Sequence, residues 1–416
     1  MVCAVVRFAA MGWIDELYAA PSYHFTYLGF DWVRPWPRWG LYAHFTLMGL
    51  TALGLLLGYR TRTMAAAFVA LFGYAELLDK SAYLNHYYLV SLLGFLLVLV
   101  PSNRAWSLDS RKLGGQGTVP AWAYWLLKGQ MAVVYFYAGF AKLNPDWLFR
   151  AQPLTLWLSS YADVPLFGAL AQTSWLPWVM SWAGMLYDLS VAPLLLWRRT
   201  RTPAFVAAVI FHVSVWLLFP IGIFPWVMLL GATLFFAPDW PRRVLARLGA
   251  SKQWSRTVRA SVGGPTPRWL VGASTLFLVL QVALPLRFML YPGWVNWSEQ
   301  GFRFAWRVML IEKTGQVEYD VVSADQRQRF RIYPRRELSK LQFRMMSTQP
   351  DMIHQYALHV AERYRRQGLD SVRVYADAWV SLNGRPGRRI VDPSVNLAAV
   401  PRSLGASDFI LPLGPH

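Results

Sequence analysis

Apolar runs of membrane length, separated by short basic turns, follow one another from the N-terminus to about residue 290. They leave only a polytopic membrane fold open to this part of the chain. The runs lie near 2–20, 39–57, 63–78, 86–100, 120–141, 175–197, 203–219, 221–237 and 268–290. Several fall short of the ~20 residues a spanning helix needs, and the first, carrying Arg7, Asp15 and Glu16, is the weakest. Charged residues make up 15% of the chain, against roughly 25% in soluble domains, which agrees with this reading. A net charge of +19 would suit a nucleic-acid binder, but the cations stand between apolar runs, where they set membrane orientation. The single cysteine, Cys3, excludes an intramolecular disulfide and a cysteine metal cluster. No cleavable signal sequence is evident at the start.

Alternate connections carry the cations: Arg60 and Arg62; Arg104, Arg111 and Lys112; Arg198, Arg199 and Arg201; then Arg242, Arg243, Arg247, Lys252, Arg256 and Arg259. The opposite connections, 13–38, 79–85 and 142–174, are poor in lysine and arginine and rich in aromatics. The positive-inside bias puts the basic set in the cytoplasm, so nine spans leave the N-terminus inside and the C-terminal region outside. The same assignment brings Asp79, Lys80, Asn85, His86 and Lys142 to one outer level.

Beyond about residue 291 the pattern becomes that of a soluble domain. Thr348 to Gly368 reads as a helix with Thr348 as N-cap and Met352, Ile353, Tyr356, Val360 and Tyr364 on its apolar face. Val372 to Val380 alternates like a strand and runs into a turn at Asn383-Gly384, while Tyr319, Val321, Phe330 and Ile332 suggest a second hairpin. The expected fold is therefore mainly α: a bundle of about eight or nine transmembrane helices over 1–290, then a small extracytoplasmic α+β domain over 291–416. The sequon Asn296-Trp297-Ser298 falls on the outer side and is a glycosylation candidate in a eukaryotic endoplasmic reticulum, whereas the short termini favour a bacterial cytoplasmic membrane.

Four features carry candidate chemistry. Lys142 ends the run Val133 to Ala141; its ammonium either snorkels to the interface or is held partly desolvated, where it could shed a proton and act as a base on a lipid-soluble substrate. Asn85 and His86 open the fourth span, as interfacial caps or as groups that orient a carbonyl or hydroxyl. His212 and Asp188 lie within spans, where ionisable groups are functional or tie helices together as a pair. The stretch Phe302, Arg303, Phe304, Trp306, Arg307 and Met309 either lines a pocket for a flat ring and an anionic group or forms an interfacial aromatic belt. His24, His44, His354 and His359 have no metal spacing, and there is no HExxH, GxGxxG or Walker-type loop, so no metal is expected.

Six segments in order resemble the vitamin K-dependent γ-glutamyl carboxylase family and its bacterial HTTM relatives. They are LLDKSAYLNHYYL around His86, SNRAWSLD from Ser102, YFYAGFAKLNPDW around Lys142, DLS at Asp188, FHVSVWLLFPIGIFPWVML around His212 and WVSLNGRPGRRIVDP in the outer domain. Within the lysine segment, Ala141 stands where a second lysine is usual, and Asn144-Pro145 where the family is acidic. The resemblance implies that Lys142 is the catalytic base on reduced vitamin K, the co-substrate, assisted by His86. Reaction of the hydroquinone with dioxygen would then generate a strong base and finally the 2,3-epoxide. That base would take a γ-proton from a peptidyl glutamate, and the carbanion would capture carbon dioxide. Asn85, His212, Phe302, Phe304, Trp306 and Met309 would contact the quinol or the glutamate. The implied partners are membrane lipid, a lipid-soluble quinol and a glutamate-containing protein or peptide, with no nucleic acid. Two other readings remain beside the carboxylase: a quinol epoxidase without carboxylation, and a non-catalytic membrane protein that binds a lipid or partner. No inverted repeat argues for a transporter.

Overall fold

The structure, a computed structural model, describes residues 1–112, 119–165, 167–249, 267–323, 328–369 and 371–414. Lys252, Arg256 and Arg259 of the expected basic set lie outside the described residues. The first half comprises helices α1 (Val2–Ala10), α2 (Arg38–Leu57), α3 (Thr61–Leu78), α4 (Asn85–Leu99), α5 (Leu108–Lys112) and α6 (Ala121–Ala141). There follow short helices α7 (Pro145–Arg150), α8 (Leu154–Ser159) and α9 (Phe167–Ala171), then α10 (Leu176–Leu196), α11 (Arg201–Leu218), α12 (Phe224–Thr233), α13 (Trp240–Arg247) and α14 (Arg268–Ala283). Among the described residues, four helical stretches are long and apolar enough to cross a membrane by themselves: α2, α10, α11 and α14 with its 3-10 extension to Leu290. Helices α4 and α12 are apolar but shorter.

The first apolar run does not form one helix across 2–20. Helix α1 stops at Ala10, Gly12 turns the chain at φ +70, and residues Asp15–Ala19 form a separate π-helical turn. Nine residues rise about 14 Å, half a hydrocarbon core. The acids that weakened this run make the turn: Asp15 accepts bonds from Arg38 at the start of α2 and from the Tyr42 hydroxyl. Helix α2 ends at Gly58, whose left-handed φ of +63 lets its N–H close back on the last turn. The next helix, α3, begins where Asp109 accepts the backbone N–H groups of Arg60 and Thr61, a cap supplied by a distant loop.

The C-terminal domain is built on an antiparallel sheet of order β2-β1-β3-β4, with β1 Lys313–Ser323, β2 Arg329–Ile332, β3 Val372–Leu382 and β4 Arg388–Arg389. Tyr319 pairs with Ile332 and with Ala376, so the alternating buried residues of β1 and β3 share one face. Helix α17 (Pro350–Arg366) covers that face with Met352, Ile353, Tyr356 and Val360, preceded by α15 (Val295–Ser298) and α16 (Lys340–Met346). The helix starts one residue later than its sequence suggests. Thr348 bonds back to carbonyls at the end of α16, and Gln349 takes the N-cap position. Asn383 and Gly384 turn the hairpin with φ of +51 and +75. Asn296 is fully buried, which removes the sequon as a glycosylation site.

The domain docks on the helical half through polar bonds and one inserted phenyl ring. Phe25, from the connection before α2, lies in the domain core with Trp297. Gln342 donates to Asp79 and to the Tyr23 carbonyl, and Lys80 reaches Asp351 at 2.8 Å. These contacts define an outer end of the bundle, bearing the domain, and an inner end.

Candidate active site

Helices α6 and α10 pack closely because position 139 lacks a side chain. A Cβ on Gly139 would stand 2.7 Å from Leu189 Cγ and 2.8 Å from its backbone nitrogen. Three residues on, Lys142 occupies the C-cap of α6, and the close approach lets its Nζ reach Asp188 Oδ2 at 2.7 Å. The same nitrogen donates to the Ala138 carbonyl at 3.1 Å and lies 5.3 Å above the Trp147 ring. Only 7% of each side chain of the Lys142–Asp188 pair is exposed. The lysine therefore does not snorkel; it turns inward, beneath the cap of short helices α7 and α8.

A cavity of about 80 Å³ adjoins the pair, lined by Val134, Trp147, Trp157, Met180, Phe211, His212, Phe219, Phe224, Met228, Val308 and Met309 among others. His212 is 1% exposed, and neither of its ring nitrogens has a hydrogen-bond partner among the described residues. A buried polar group without a partner is costly, so both nitrogens are set for a ligand or water in that cavity. The lining is apolar and aromatic, which suits a flat ring, but the volume is below the ~300 Å³ at which small-molecule sites begin. Methionines 180, 228 and 309 are the flexible part of the wall, being unbranched and able to swing aside.

The expected quinol-contacting stretch does not lie flat along this cavity. Glu299, Phe304, Trp306 and Met309 have left-handed φ of +54, +60, +56 and +52, each a strain of about 1–3 kcal/mol for a non-glycine residue. The side chains therefore diverge. Met309 faces the lysine cavity; Trp306 is buried and stacks on Tyr88 at 5.0 Å; Phe302 lies 6.0 Å from the Arg307 guanidinium; Phe304 packs on Tyr83 and Tyr88. Asn85 holds the stretch in place, donating from Nδ2 to the Arg307 carbonyl at 3.0 Å. Tyr83 assists: its hydroxyl donates to Asn85 Oδ1 and accepts the Phe304 N–H at 2.8 Å. The His86 ring lies 6.0 Å from the Phe224 phenyl, as does that of His212. Lys142, Asp188, His212 and Met309 thus share one cavity, while Asn85, His86, Phe302, Phe304 and Trp306 do not line it.

On the far side of the same stretch lies a larger polar cavity of about 520 Å³ between the helical half and the outer domain. Its lining includes Tyr27, Lys80, Arg287, Glu299, Gly301, Arg303, Phe304, Asp351 and the loop 400–410. Burial pulls the Lys80 ammonium below its ordinary range in spite of Asp351. For Asp351 burial works in the opposite direction, yet Arg303 and Lys80 together hold its carboxyl below the usual range. Arg307, buried and with no acidic partner among the described residues, is pushed down to about 10 by desolvation. The 299–309 stretch is therefore a partition, with Met309 facing one chamber and Phe304 the other.

Sequence reasoning missed the anchor that fixes Lys142 from above. Asp146, four residues on, is fully buried and accepts from both ends of the Arg385 guanidinium and from Asn383 Nδ2 at 2.7 Å. Burial would raise this carboxyl, but the bonds from Arg385 and Asn383 outweigh it and keep it below its usual range. The turn Asn383-Gly384-Arg385 was visible as a turn; its partner 239 residues away was not.

Residues 1–240 match the family model of the HTTM domain, and residues 266–416 match that of the vitamin K-dependent gamma-carboxylase lumenal domain. No solved structure matches the chain. With its apolar helices the chain is an integral membrane protein, and the lumenal-domain match puts the C-terminal domain on the non-cytoplasmic side.

Proposed function

Because the chain belongs to the vitamin K-dependent gamma-carboxylase family, we propose that it oxidises reduced vitamin K to the 2,3-epoxide and uses the base so formed to carboxylate peptidyl glutamate. The observation that carries this reading is a buried amine–carboxylate pair, Lys142 and Asp188, opening on an apolar cavity beside a histidine with two unpartnered nitrogens. Reduced vitamin K supplies the electrons that dioxygen accepts; the chain supplies a proton acceptor, orientation and dryness.

Lys142 takes the proton from a quinol hydroxyl at Nζ. The pair carries the same net charge whether its own proton sits on Nζ or on Asp188 Oδ2. Freeing the amine therefore needs only a shift across 2.7 Å, with no charge created in an apolar medium. His212 orients a quinol oxygen through either ring nitrogen, as donor or acceptor according to tautomer. Asn85 and His86 act from behind the wall, the first by holding the Arg307 carbonyl, the second through Phe224. Trp147, Phe219 and Met309 exclude water, which would otherwise protonate a carbanion. The glutamyl peptide approaches from the larger polar chamber, whose cations Lys80, Arg287 and Arg303 suit an acidic substrate. The setting we infer is a bacterial cytoplasmic membrane, N-terminus inside.

The test is epoxide formation from reduced vitamin K by the purified protein against Lys142→Ala, with labelled carbon dioxide and a glutamyl peptide in a parallel arm. Epoxide without label in the peptide reduces the activity to quinol oxidation. No epoxide from the wild type, at a yield where the protein is folded, sinks the enzymatic reading.

A further inference from the structure

We propose that a cavity of about 310 Å³ at the cytoplasmic end of the bundle binds one anionic phospholipid, its phosphate held by Arg104 and Arg242. Its polar rim comes from Ser102, Arg104 and Arg242, and its apolar wall from Leu97, Leu127 and Leu234. A cationic rim over an apolar cleft between helix ends matches a headgroup with the first part of an acyl chain.

The segment 102–109 divides its work in two. Asn103 donates to Asp109, and Asp109 caps the start of α3, so these residues are structural. Ser102, Arg104 and Trp106 instead line the cavity. The Nε of Arg104 is buried and has no hydrogen-bond acceptor. Among the described residues, Asp109 is engaged on α3 and Asp239 bonds Arg243 at 2.7 Å, so neither supplies the acceptor that Arg104 Nε lacks. A desolvated guanidinium N–H without an acceptor, in a loop set rich in cations, calls for an anion. The phospholipid is favoured over free phosphate because the cleft below the cations is apolar and continuous with the inner ends of α4, α6 and α12.

This site is separate from the lysine cavity. Tyr124, on its wall, precedes Lys142 by eighteen residues of one helix, a rise of about 27 Å. Lipid binding and quinol chemistry can therefore fail independently.

The experiment uses the full chain in neutral detergent, adding phosphatidylglycerol or phosphatidylcholine of the same acyl chains, and reads bound lipid by native mass spectrometry and Tm by thermal unfolding. Phosphatidylglycerol is expected to be retained and to raise Tm, and phosphatidylcholine not. Each cation contributes about fivefold in affinity, so Arg104→Gln and Arg242→Gln should each weaken phosphatidylglycerol retention by about that factor, with Arg104→Lys close to wild type. Ala123→Trp fills the apolar wall and leaves both cations; it should lower retention even if an arginine variant fails to fold. Equal binding of the two lipids overturns the proposal, as does full competition by inorganic phosphate. So does displacement by a quinone, or retention unchanged in Ala123→Trp and both glutamine variants.

Discussion

Two buried ion pairs stand four residues apart in the chain and differ in how completely they are satisfied. Asp146 receives both arms of Arg385 and the Asn383 amide, and no cavity adjoins it among those described. Lys142 and Asp188 have each other and one backbone carbonyl, in an apolar cavity with His212 unpartnered at its edge. Satisfied polar networks hold structure, whereas under-satisfied ones keep capacity for a ligand or a proton. The first pair joins the outer domain to the membrane half. The second is the one we propose for the chemistry.

The strongest way to break this contrast is Lys142→Ala, which should lower quinol epoxidation about 10³-fold, the order expected for losing a general base, while the protein still folds. A fall under tenfold would mean another group takes the proton. Asp188→Asn keeps the shape but removes the charge and the proton site; about 10²-fold loss of kcat is expected, with rescue by Asp188→Glu in part. An unchanged kcat with a lowered Tm would make Asp188 purely structural. Arg385→Gln strands a buried carboxylate, so a stability loss of about 3 kcal/mol is expected by denaturant titration, with activity per folded molecule falling far less. Equal damage to both would erase the distinction between the pairs. His212→Phe should cost about tenfold in kcat/KM and leave Tm level or raised, since it removes two unpaired polar atoms.

The smallest effect is one of pH. The folded carboxyl of Asp146 is held below the unfolded value of ~3.9. Its contribution is therefore fully present above that value and lost as pH falls through the folded one. Docking of the outer domain, followed by tryptophan fluorescence, should be flat from about pH 5 to 8 and loosen only below about pH 4. Asp146→Asn should abolish that acid step.

Much of the fold was legible because period and charge bias act locally. The long apolar helices, the strand over 372–380 and the turn at Asn383-Gly384 follow from patterns within a dozen residues. Helices α7 to α9 were not visible, since five or six residues carry too little periodicity. Thr348 has the residue type of an N-cap, but 340–346 is helical and its hydroxyl bonds to the end of that earlier helix. At the site, Lys142, Asp188 and His212 stood out as ionisable groups in or beside apolar runs. For the stretch 302–309 the sequence left a ring pocket and an aromatic belt both open, because the three left-handed residues that send its side chains apart carry no local signal. Asp146 and Arg385 needed tertiary contact to be seen.

Gly139 has a consequence for how such a protein can be altered. A hydrogen atom there acts as a shim of fixed thickness between two rods, and the reach of the amine to its carboxylate is set by that thickness. Even a methyl group would push the rods apart and lengthen a 2.7 Å contact that tolerates little stretching. The position therefore behaves as a calibration point, with one usable setting, three residues along the helix from the amine it positions.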